Sequence, residues 1–415
     1  MDEFNIIVIG AGPAGMMASI RAAECSANVA LVEKNASFAR KLGLTGKGRC
    51  NLTNTGSQDH FFEKFGRDGE FLRDALKKFS SQRLIDFFES NGLKMKVERQ
   101  GRVFPETDSS RSVIDILERT IKRRKISIFL SSPVKSILTD GIRARGVSLM
   151  DGRQLAARKV IIACGGASFP ETGSTGDGFK MARELGHSIK DIFPGLVPLE
   201  CEENFVKDLQ GLTLKNIRIE FKAGKKRFSS DIGELLFTHF GISGPLVLDL
   251  SGAVVKEAKG QVFNVFIDSK PGLSKEELES KIARELGEKG TLAVKNYLKE
   301  LTLERYAGII LKIAGIAPEK KCHQVTHGER KKIVDFLKSL PLTIKRPRPI
   351  NEAMVTLGGV ALKEVDPRTM ESKIIKGLYF CGEVLDLAAQ SGGYNLQAAF
   401  STGYLAGESA ALDLT

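Results

Sequence analysis

The amino-terminal part of the chain places short apolar runs on both sides of a glycine-rich segment. Residues 6–9 (IIVI) are all β-branched, which predicts a strand buried on both faces of a parallel sheet. Residues 14–24 follow a helical period, and a second apolar run, 28–32 (NVALV), ends at Glu33. The pattern therefore predicts a βαβ unit at the start of the chain.

Helical and strand-like periods then alternate up to about residue 190. Residues 42–54 (LGLTGKGRCNLTN) follow neither period and mix glycines with polar side chains, so we interpret them as a loop that faces a ligand. The other predicted elements are helices over 71–79, 82–90 and 112–124, and strands over 126–138, 143–149 and 159–164.

From residue 191 the pattern changes, which indicates a second folding unit. Residues 274–340 are helical and charged, and Ser274 and Glu277 form a capping-box start. A last strand is predicted over 377–381 and a last helix over 395–411. Strand-like segments without helices between them are predicted at 217–221, 235–238, 246–250 and 262–267.

These changes in pattern divide the chain into domains. We predict that residues 1–190 and 351–415 form one α/β domain. The inserted part consists of a β-rich domain beginning at 191–273, a helical insertion at 274–340, and a crossover at 341–350 that returns through the β-rich domain. A chain of 415 residues, 42% of them hydrophobic, is long enough to bury more than one core.

Charge and cysteine content narrow the class of protein. The formal net charge of +12 favours anionic ligands, but the basic clusters at 122–125 and 345–348 are typical of solvated faces, so we do not predict a nucleic-acid partner. None of the six cysteines forms a CxxC pair, and no metal site is predicted. Reduced thiols and an acidic start at Asp2 and Glu3 favour a cytoplasmic location. The longest apolar run, 6–20, is broken by glycines and Pro13, so no membrane span is predicted.

The glycine-rich segment GAGPAG has the spacing of a dinucleotide-binding turn. Gly10 permits the tight bend, Gly12 lets the backbone approach a pyrophosphate, and Gly15 lets helix and strand pack closely. Glu33 stands at the end of the second strand, where a carboxylate can bind an adenosine ribose. This motif alone is compatible with either NAD or FAD.

Two later segments favour FAD. Cys164-Gly165-Gly166 and Gly382-Glu383 each follow a predicted buried strand, as in flavoproteins of the glutathione-reductase type. In that arrangement Glu383 binds the ribityl chain. Gly392, Gly393 and Asn395 would then place helix amides at the flavin pyrimidine ring, where the helix dipole favours negative charge.

Other polar residues have both a structural and a chemical interpretation. Arg49 and Asn51, held in a glycine-framed loop, could grip a diphosphate, whereas Cys50 lacks a partner thiol and is interpreted as packing. His239 is a candidate proton donor, although a lone histidine is more often structural. Thr356 precedes a glycine pair that forms either a tight turn or a substrate loop, and Tyr394 is the remaining catalytic candidate.

The ordered motifs identify a family. The segments TGKGRCNLTN, GRVFPET, GGASFPETGSTGDG, GELLFTHFGISGP, VTLGGV and LYFCGEVLDLAAQSGGYNLQ, together with GAGPAG, resemble the BaiN-like family of bacterial NAD(P)/FAD-dependent oxidoreductases, which includes aminoacetone-oxidase-like flavoproteins. The resemblance runs nearly end to end. It implies an α/β fold: a glutathione-reductase-type Rossmann FAD domain with an inserted β-barrel-like domain and a helical subdomain.

The resemblance also implies the cofactor contacts. Val134 would meet the adenine through its backbone. The full set is Gly10, Ala11, Gly12, Pro13, Ala14, Gly15, Glu33, Lys34, Arg49, Cys50, Asn51, Val134, Gly165, Gly382, Glu383, Asn395 and Leu396.

The predicted function is hydride transfer between FAD and a small organic substrate of the amine, ketone or enone type. No second dinucleotide fingerprint is found, so NAD(P)H would bind transiently, or oxygen would reoxidise the flavin. Two alternatives stay open. A flavin-dependent tRNA-modifying enzyme would use the positive charge for RNA, and a non-catalytic flavin-binding sensor would never turn the flavin over. The sequence does not indicate an oligomeric state.

Overall fold

The computed structural model describes residues 3–414 and divides them into two compact units. Unit 1 combines the amino-terminal part up to Phe193 with the carboxyl-terminal part from Ala353, and unit 2 is Pro194–Glu352. The chain thus leaves unit 1 once and returns to it once.

The amino-terminal part of the chain contributes ten strands and seven α-helices among the described residues. The strands are β1 (Glu3–Ile9), β2 (Val29–Val32), β3 (Thr53–Asn54), β4 (Met95–Val97), β5 (Arg102–Pro105), β6 (Ser127–Phe129), β7 (Val134–Thr139), β8 (Ala144–Leu149), β9 (Gln154–Ile162) and β10 (Ile189–Gly195). The helices are α1 (Pro13–Glu24), α2 (Arg40–Leu44), α3 (Gln58–Phe65), α4 (Arg73–Lys78), α5 (Ser81–Ser90), α6 (Ser110–Arg123) and α7 (Asp177–Glu184).

The remaining elements follow in chain order. Unit 2 contains β11 (Leu199–Cys201), β12 (Thr213–Ala223), β13 (Lys226–Ser229), β14 (Gly233–Phe237), β15 (Gly241–Ser243), α8 (Pro245–Ala258), β16 (Phe263–Asp268), α9 (Lys275–Glu288), α10 (Val294–Leu301), α11 (Glu304–Ala314), α12 (His327–Ser339) and β17 (Leu340–Pro347). The return to unit 1 adds β18 (Val355–Val360), β19 (Leu378–Phe380) and α13 (Tyr394–Leu412).

Unit 1 is built on a mostly parallel sheet. Strands β6, β2, β1, β9 and β19 are parallel neighbours in that order, whereas β8 and β7 add an antiparallel edge to the other end of β9. Ile6 pairs with Val29, and Val8 with Ile161, so the predicted βαβ unit forms the centre of this sheet. Because both faces are covered, Ile6, Ile7 and Val8 are completely buried.

Helix α13 returns the carboxyl-terminal part of the chain to the core of unit 1. It packs along α1 at close range, because Gly403 and Gly407 lie against the carbonyl oxygens of Ala14 and Ala18 and leave no room for a Cβ. Fourteen of its nineteen residues are buried, which explains why its sequence is apolar on every side. This helix is what positions the late glycine motif next to the first one.

Unit 2 contains a closed antiparallel barrel. Its strands follow the order β12, β14, β15, β11, β17 and β16, and β16 pairs again with β12, where Phe221 faces Val265. Strand β13 pairs only with β12 among the described strands. The helices α9–α12 lie between β16 and β17 in the chain, and the predicted capping box at Ser274 and Glu277 is present. The predicted fold class is confirmed, including its barrel.

Two local predictions are corrected, at 246–250 and 42–54. Residues 246–250 are not a strand but the start of α8, because Pro245 occupies the first helical turn and Leu246, Val247, Val254 and Val255 are buried along the helix. The segment 341–350, predicted as a crossover back through the β-rich domain, contains most of strand β17 of the barrel. The loop predicted at 42–54 includes the end of α2, a 3₁₀ turn over Thr45–Gly48 and the short strand β3.

Candidate functional site

The first glycine motif forms the turn between β1 and α1. Gly12 precedes the helix in an extended conformation (φ −78°, ψ −179°) without a side-chain cap, so the first-turn amides of α1 are not satisfied by a cap. A Cβ at Gly15 would overlap the carbonyl oxygen of Gly10, which explains the need for glycine there. The result is a helix amino terminus suited to an anionic group.

Glu33 ends β2 directly beside this turn. Its carboxylate accepts hydrogen bonds from the Ala11 N–H (2.7 Å) and from the backbone and side-chain N–H groups of Asn35 (both 2.8 Å). The residue is 8% exposed. A nearly buried carboxylate held by three N–H donors is a preformed acceptor at the edge of the turn.

A cavity in unit 1 opens at this turn and has a volume of about 1100 Å³, part of it open to solvent. Its walls bring together the glycine turn, α2, the segment after β9, and the start of α13. Residues singled out from the sequence that line it are Gly10, Ala11, Gly12, Pro13, Ala14, Glu33, Gly165, Gly382, Glu383, Asn395 and Leu396. We call it the main cavity.

An adjacent cavity of about 370 Å³ shares Gly10 and Glu33 with the main cavity. Lys34 and Val134 line it, as the resemblance implies for an adenosine subsite. Lys34 donates to Thr175 Oγ1 (2.6 Å) and pairs with Asp177 (2.7 Å), so the ammonium group is already oriented along this wall. Two cavities that share lining residues and flank a glycine turn fit the layout of a dinucleotide site.

A profile of the HI0933-like protein Rossmann domain matches residues 4–409. The chain belongs to this family. The predicted resemblance is therefore confirmed across almost the whole chain, and the chain is a flavin-dependent oxidoreductase.

Relatives in this family span the full length of the chain. The chain is 32% identical over 411 residues to the 3-dehydro-bile acid delta(4,6)-reductase of Clostridium scindens, covering 98% of this chain and 99% of the relative. It is 30% identical over 407 residues to the ribosomal RNA dihydrouridine synthase of Escherichia coli, covering 97% of both chains. Among solved structures, 3-ketosteroid delta1-dehydrogenase from Sterolibacterium denitrificans has the same fold, with a TM-score of 0.57, 14% identity and complete coverage of both chains.

The far end of the main cavity is organised around Glu383. Its carboxylate pairs with the Lys41 ammonium (2.7 and 2.9 Å) and accepts hydrogen bonds from the Ser168 hydroxyl (3.2 Å) and the Thr356 N–H (2.8 Å). Lys41 also donates to Ser168 Oγ (2.7 Å). Glu383 therefore fixes three segments that are distant in sequence, while its own side chain remains partly exposed to the cavity.

The amino terminus of α13 is held in place by polar contacts. Gly393 has φ 97°, and a Cβ there would overlap the carbonyl oxygen of Thr53. In the amide orientation that gives both of its polar atoms a partner, the Asn51 carboxamide accepts from the Gly393 N–H (3.1 Å) and donates to the Thr53 carbonyl (3.3 Å). Asn395 accepts from the Ala389 N–H (2.8 Å) and donates to the Ala389 carbonyl (2.9 Å). Asn51 and Gly393 thus support the start of α13. Asn395 and Leu396, in the first turn of this helix, line the main cavity.

Arg49 and Cys50 line neither cavity. The Arg49 guanidinium pairs with Glu98 and Asp108 and lies 4.2 Å from the centre of the Phe104 ring. Burial raises the pKa of the Cys50 thiol to about 12, so the thiol stays protonated at neutral pH. The cations that do line the main cavity are Arg40 and Lys41 of α2, which sequence reasoning missed. The available signal was the Arg-Lys pair that stands seven and eight positions after Glu33.

The three catalytic candidates lie in different environments. Thr356 is completely buried, and its Oγ1 accepts from the N–H groups of Ala167 (2.8 Å) and Ser168 (3.1 Å). His239 is exposed in the turn between β14 and β15 of unit 2 and packs against Phe240. Tyr394, the first residue of α13, is 4% exposed, and its hydroxyl bonds to the His60 imidazole (3.0 Å). Thr356 and Tyr394 both belong to unit 1, and Tyr394 contacts His60, a histidine that was not predicted from the sequence.

Two further features of the described residues bear on the site. Across residues 3–414, no group of three or more His, Cys, Asp or Glu side chains could hold a metal ion. Within the same range, no helix combines the length and apolar character needed to cross a bilayer.

Proposed function

We propose that this enzyme uses FAD to reduce a carbon–carbon double bond conjugated to a carbonyl group, with NAD(P)H as the transient electron donor. The observation that carries the proposal is the main cavity, which runs from an uncapped helix amino terminus at Gly12 to the start of α13. The names of two full-length relatives, a delta(4,6)-reductase and a dihydrouridine synthase, both describe the saturation of such a bond. FAD supplies the hydride donor and acceptor of the reaction.

The residues of the two cavities fit the parts of FAD in order. The amides after Gly12 would bind the diphosphate, and Glu33 would accept the hydroxyls of the adenosine ribose. Val134 would face the adenine. At the other end, the positive end of the α13 dipole would favour negative charge on the pyrimidine ring of the flavin.

Lys41 and Glu383 would orient the ribityl and flavin portion. Glu383 already accepts four hydrogen-bonding contacts from Lys41, Ser168 and Thr356, so it is preoriented before a ligand arrives. Thr356 would act as a positioning residue, because its hydroxyl is consumed by two backbone N–H groups. It would hold the segment at Ala167 and Ser168 against Glu383.

Reduction of a conjugated double bond needs a proton donor as well as a hydride donor. A hydride added to the β-carbon leaves negative charge on the carbonyl side, and a general acid must protonate the α-carbon. Tyr394 is the leading candidate for this acid, because it immediately precedes Asn395 and Leu396, which line the main cavity. His239, exposed on unit 2, is the second candidate.

The experiment begins with the purified protein, which should be yellow and release FAD on heating. Anaerobic stopped-flow mixing with NADH and NADPH separately should bleach the flavin with one of them, and a conjugated enone should restore its colour. If an amine but neither nicotinamide bleaches the flavin, the enzyme is an amine oxidase. A colourless protein that cannot be reconstituted with FAD would refute the cofactor itself.

A second candidate function places the double bond in a uracil of RNA. The β12–β13 hairpin favours it, because Lys222 lies directly opposite Arg227 and exposed Lys225 occupies the turn. Arg227 pairs with Glu220, so Lys222 and Lys225 supply the positive charge of this hairpin that an anionic partner would contact. Within the described part of the chain, neither Lys222 nor Lys225 has an acidic partner within 4 Å.

The RNA candidate predicts salt-sensitive binding through this hairpin. Replacing Lys222 and Lys225 with Glu should lower affinity for ribosomal RNA fragments and flatten the dependence of the logarithm of affinity on the logarithm of salt concentration. The matched control replaces Lys122 and Lys125 of the other basic cluster. Equal loss in both double variants would indicate nonspecific charge attraction instead.

A further inference from the structure

A buried glutamine lies near the start of α13 and is bonded to strand β3. Gln397 is completely buried, and so is Thr53. The Thr53 hydroxyl donates a hydrogen bond to Gln397 Oε1 (2.6 Å). Because 344 positions separate the two residues, this bond joins the early glycine-framed loop region to the last helix of the chain.

The side-chain amide of Gln397 also has partners for both of its N–H groups. Nε2 donates to the Phe79 carbonyl oxygen (3.0 Å) and to Ser401 Oγ (2.8 Å). The Ser401 hydroxyl donates to the same carbonyl oxygen (2.6 Å). Phe79 directly follows α4, where backbone carbonyl groups lack partners within the helix. We call Thr53, Gln397 and Ser401 the buried polar cluster, which connects α13 to β3 and to the end of α4.

Backbone contacts reinforce this connection just before α13. Gly393 packs so closely on β3 that a Cβ there would lie 2.4 Å from the Thr53 carbonyl oxygen. Asn54, which is 2% exposed, donates from Nδ2 to the Gly392 carbonyl oxygen (3.2 Å). Strand β3 is itself paired with β5, where Thr53 lies opposite Val103. The start of α13 therefore rests on a strand that a neighbouring strand holds in place.

The buried polar cluster and the main cavity use different residues of α13. Gln397 and Ser401 are about one helical turn apart and do not line the cavity. A fully paired polar side chain makes all of its bonds in one orientation, so the cluster specifies both the rotation and the axial position of the helix. That rotation determines which residues of α13 line the main cavity, namely Asn395, Leu396, Ala398, Ala399 and Thr402.

We infer that Thr53 and Gln397 are positioning residues that hold the start of α13 at the main cavity and thereby set the relative affinity for reduced and oxidised flavin. The inference rests on the proposed function, in which the flavin pyrimidine ring of FAD lies at this helix start. The positive end of the helix dipole favours negative charge on that ring. Neither Thr53 nor Gln397 lines the main or adjacent cavity, so both act through the residues of α13 that do.

Redox titration of the FAD-loaded full chain against a reference dye tests the inference. Thr53→Val keeps the shape of the side chain but removes the hydroxyl that donates to Gln397. In this variant the ratio of the affinities for reduced and oxidised FAD should fall at least about threefold, within the range of helix-dipole effects. For a two-electron couple this change makes the reduction potential about 14 mV more negative.

A second variant acts on the other partner of the same bond. Gln397→Met removes the amide that joins Thr53, Phe79 and Ser401, so its potential should shift in the same direction and at least as far. Thr53→Val is the milder substitution and decides the test by itself if Gln397→Met does not fold.

Two controls separate positioning from a general loss of stability. Thr53→Ser keeps the hydroxyl and should retain the wild-type potential. Thr120→Val removes another buried hydroxyl of unit 1, which donates to the Ile116 carbonyl oxygen on α6 (2.8 Å). Thr120 lines neither cavity, so this variant should keep the wild-type potential whatever its thermal midpoint.

Hydrogen exchange tests the position of the helix without the cofactor. In the FAD-free protein, the backbone amides of residues 397–400 should exchange faster in Thr53→Val than in wild type or Thr120→Val, because the start of α13 is held less firmly. Exchange of these amides at the wild-type rate in Thr53→Val would refute the role of the bond in holding the helix.

The possible outcomes distinguish this inference from the proposed function. Wild-type potentials in Thr53→Val and Gln397→Met would overturn the inference, even if both variants are less stable. Equal shifts in Thr53→Val and Thr120→Val would also overturn it, because lower stability would then be the cause. A wild-type protein that binds FAD but reduces no enone would refute the proposed reaction, and the potentials would still decide the inference. A protein that binds no FAD would refute both.

Discussion

At the scale of single residues, the role of a cationic side chain depends on which acidic side chains the fold brings next to it. Arg49 was expected to hold the FAD diphosphate, but its guanidinium pairs with Glu98 and Asp108. The hydrogen bond from Arg49 lowers the pKa of Glu98, and hydrogen bonds from Lys96 and Arg49 lower the pKa of Asp108. Lys41, which has no place in the dinucleotide fingerprint, lines the main cavity and pairs with Glu383. Cofactor binding should therefore depend more on Lys41 than on Arg49.

The first prediction compares these two cations directly. Lys41→Gln should weaken FAD binding by about tenfold, roughly 1.4 kcal/mol, because it removes a positive charge facing the cavity and leaves Glu383 without its ion-pair partner. Arg49→Gln should lower the thermal midpoint but change the FAD dissociation constant by less than about threefold. Fluorescence titration of the FAD-free protein measures both, with exposed Lys47→Gln as the control. A larger effect of Arg49→Gln would restore the assignment made from the sequence.

At the scale of elements, α13 links the two ends of the chain. Its glycines at 403 and 407 let it approach α1, and its amino terminus faces the main cavity. Near its other end, Glu408 pairs with Arg21 of α1 (2.5 Å) and Lys78 of α4 (2.7 Å). Close packing against α1 and the ion pairs of Glu408 therefore both hold α13 in place.

The second prediction concerns the close approach of the two helices. Gly403→Ala should destabilise the protein by about 1–3 kcal/mol, because the added Cβ would overlap the Ala14 carbonyl group and force the helices apart. Gly308→Ala on α11 is the control, since a Cβ there meets nothing within 4 Å. It should stabilise the protein by about 0.5–1 kcal/mol through helix propensity. Urea unfolding of both variants measures these changes, and a neutral Gly403→Ala would contradict the packing argument.

The third prediction concerns acid stability through Glu408. Burial alone would raise the pKa of this carboxyl, but hydrogen bonds from Lys78 and Arg21 lower it below 4.5. A lowered folded-state pKa adds stability above the unfolded value, and this stability is lost as the pH falls through the folded value. Glu408→Gln should therefore reduce the free energy of unfolding by about 1–2 kcal/mol at pH 7 and by less below about pH 4.

Unfolding by urea at pH 7 and pH 4 tests this dependence on Glu408. Glu106→Gln, which changes an exposed carboxylate, is the matched control and should leave both values unchanged. An equal loss at the two pH values would show that the charge of Glu408 is not the source of its contribution.

At the scale of the whole molecule, the chemistry of cofactor binding belongs to one unit. Every residue that lines the main and adjacent cavities lies in unit 1. The two chain segments of unit 1 that flank residues 194–352 lie close together. Strand β10 pairs with β18, and the Ala361 N–H donates to the Ser188 carbonyl (3.0 Å). Unit 1 thus has a continuous sheet and a cofactor site of its own.

The fourth prediction removes the insertion. Replacing residues 194–352 with a short Gly/Ser linker should leave a folded protein that binds FAD with an affinity within about tenfold of the full chain. Enone reduction should be lost if His239 or another group of unit 2 serves the substrate. Absorbance of the bound flavin and circular dichroism measure the outcome. A folded variant that binds no FAD would show that unit 2 supplies part of the cofactor site.

The sequence by itself determined the parts of this protein that depend on neighbours along the chain. The βαβ unit, the glycine turn with Glu33, the capping box at Ser274 and the last helix were all found, because periodicity, caps and turns are local properties. Together with the ordered motifs, they were sufficient to identify the fold and the family.

Tertiary structure decided what depends on contacts between distant residues. Four features depend on residues that are distant in sequence and could not be read from local patterns. They are the closure of the barrel through β12 and β16, the helical state of 246–250, the partners of Arg49, and the contact between His60 and Tyr394. A short apolar run such as VLDL at 247–250 is compatible with a strand or a helix, and the surrounding structure decides which of its faces is buried. For the same reason, sequence reasoning found most of the residues that line the two cavities but missed Arg40 and Lys41 and assigned Arg49 to the cofactor.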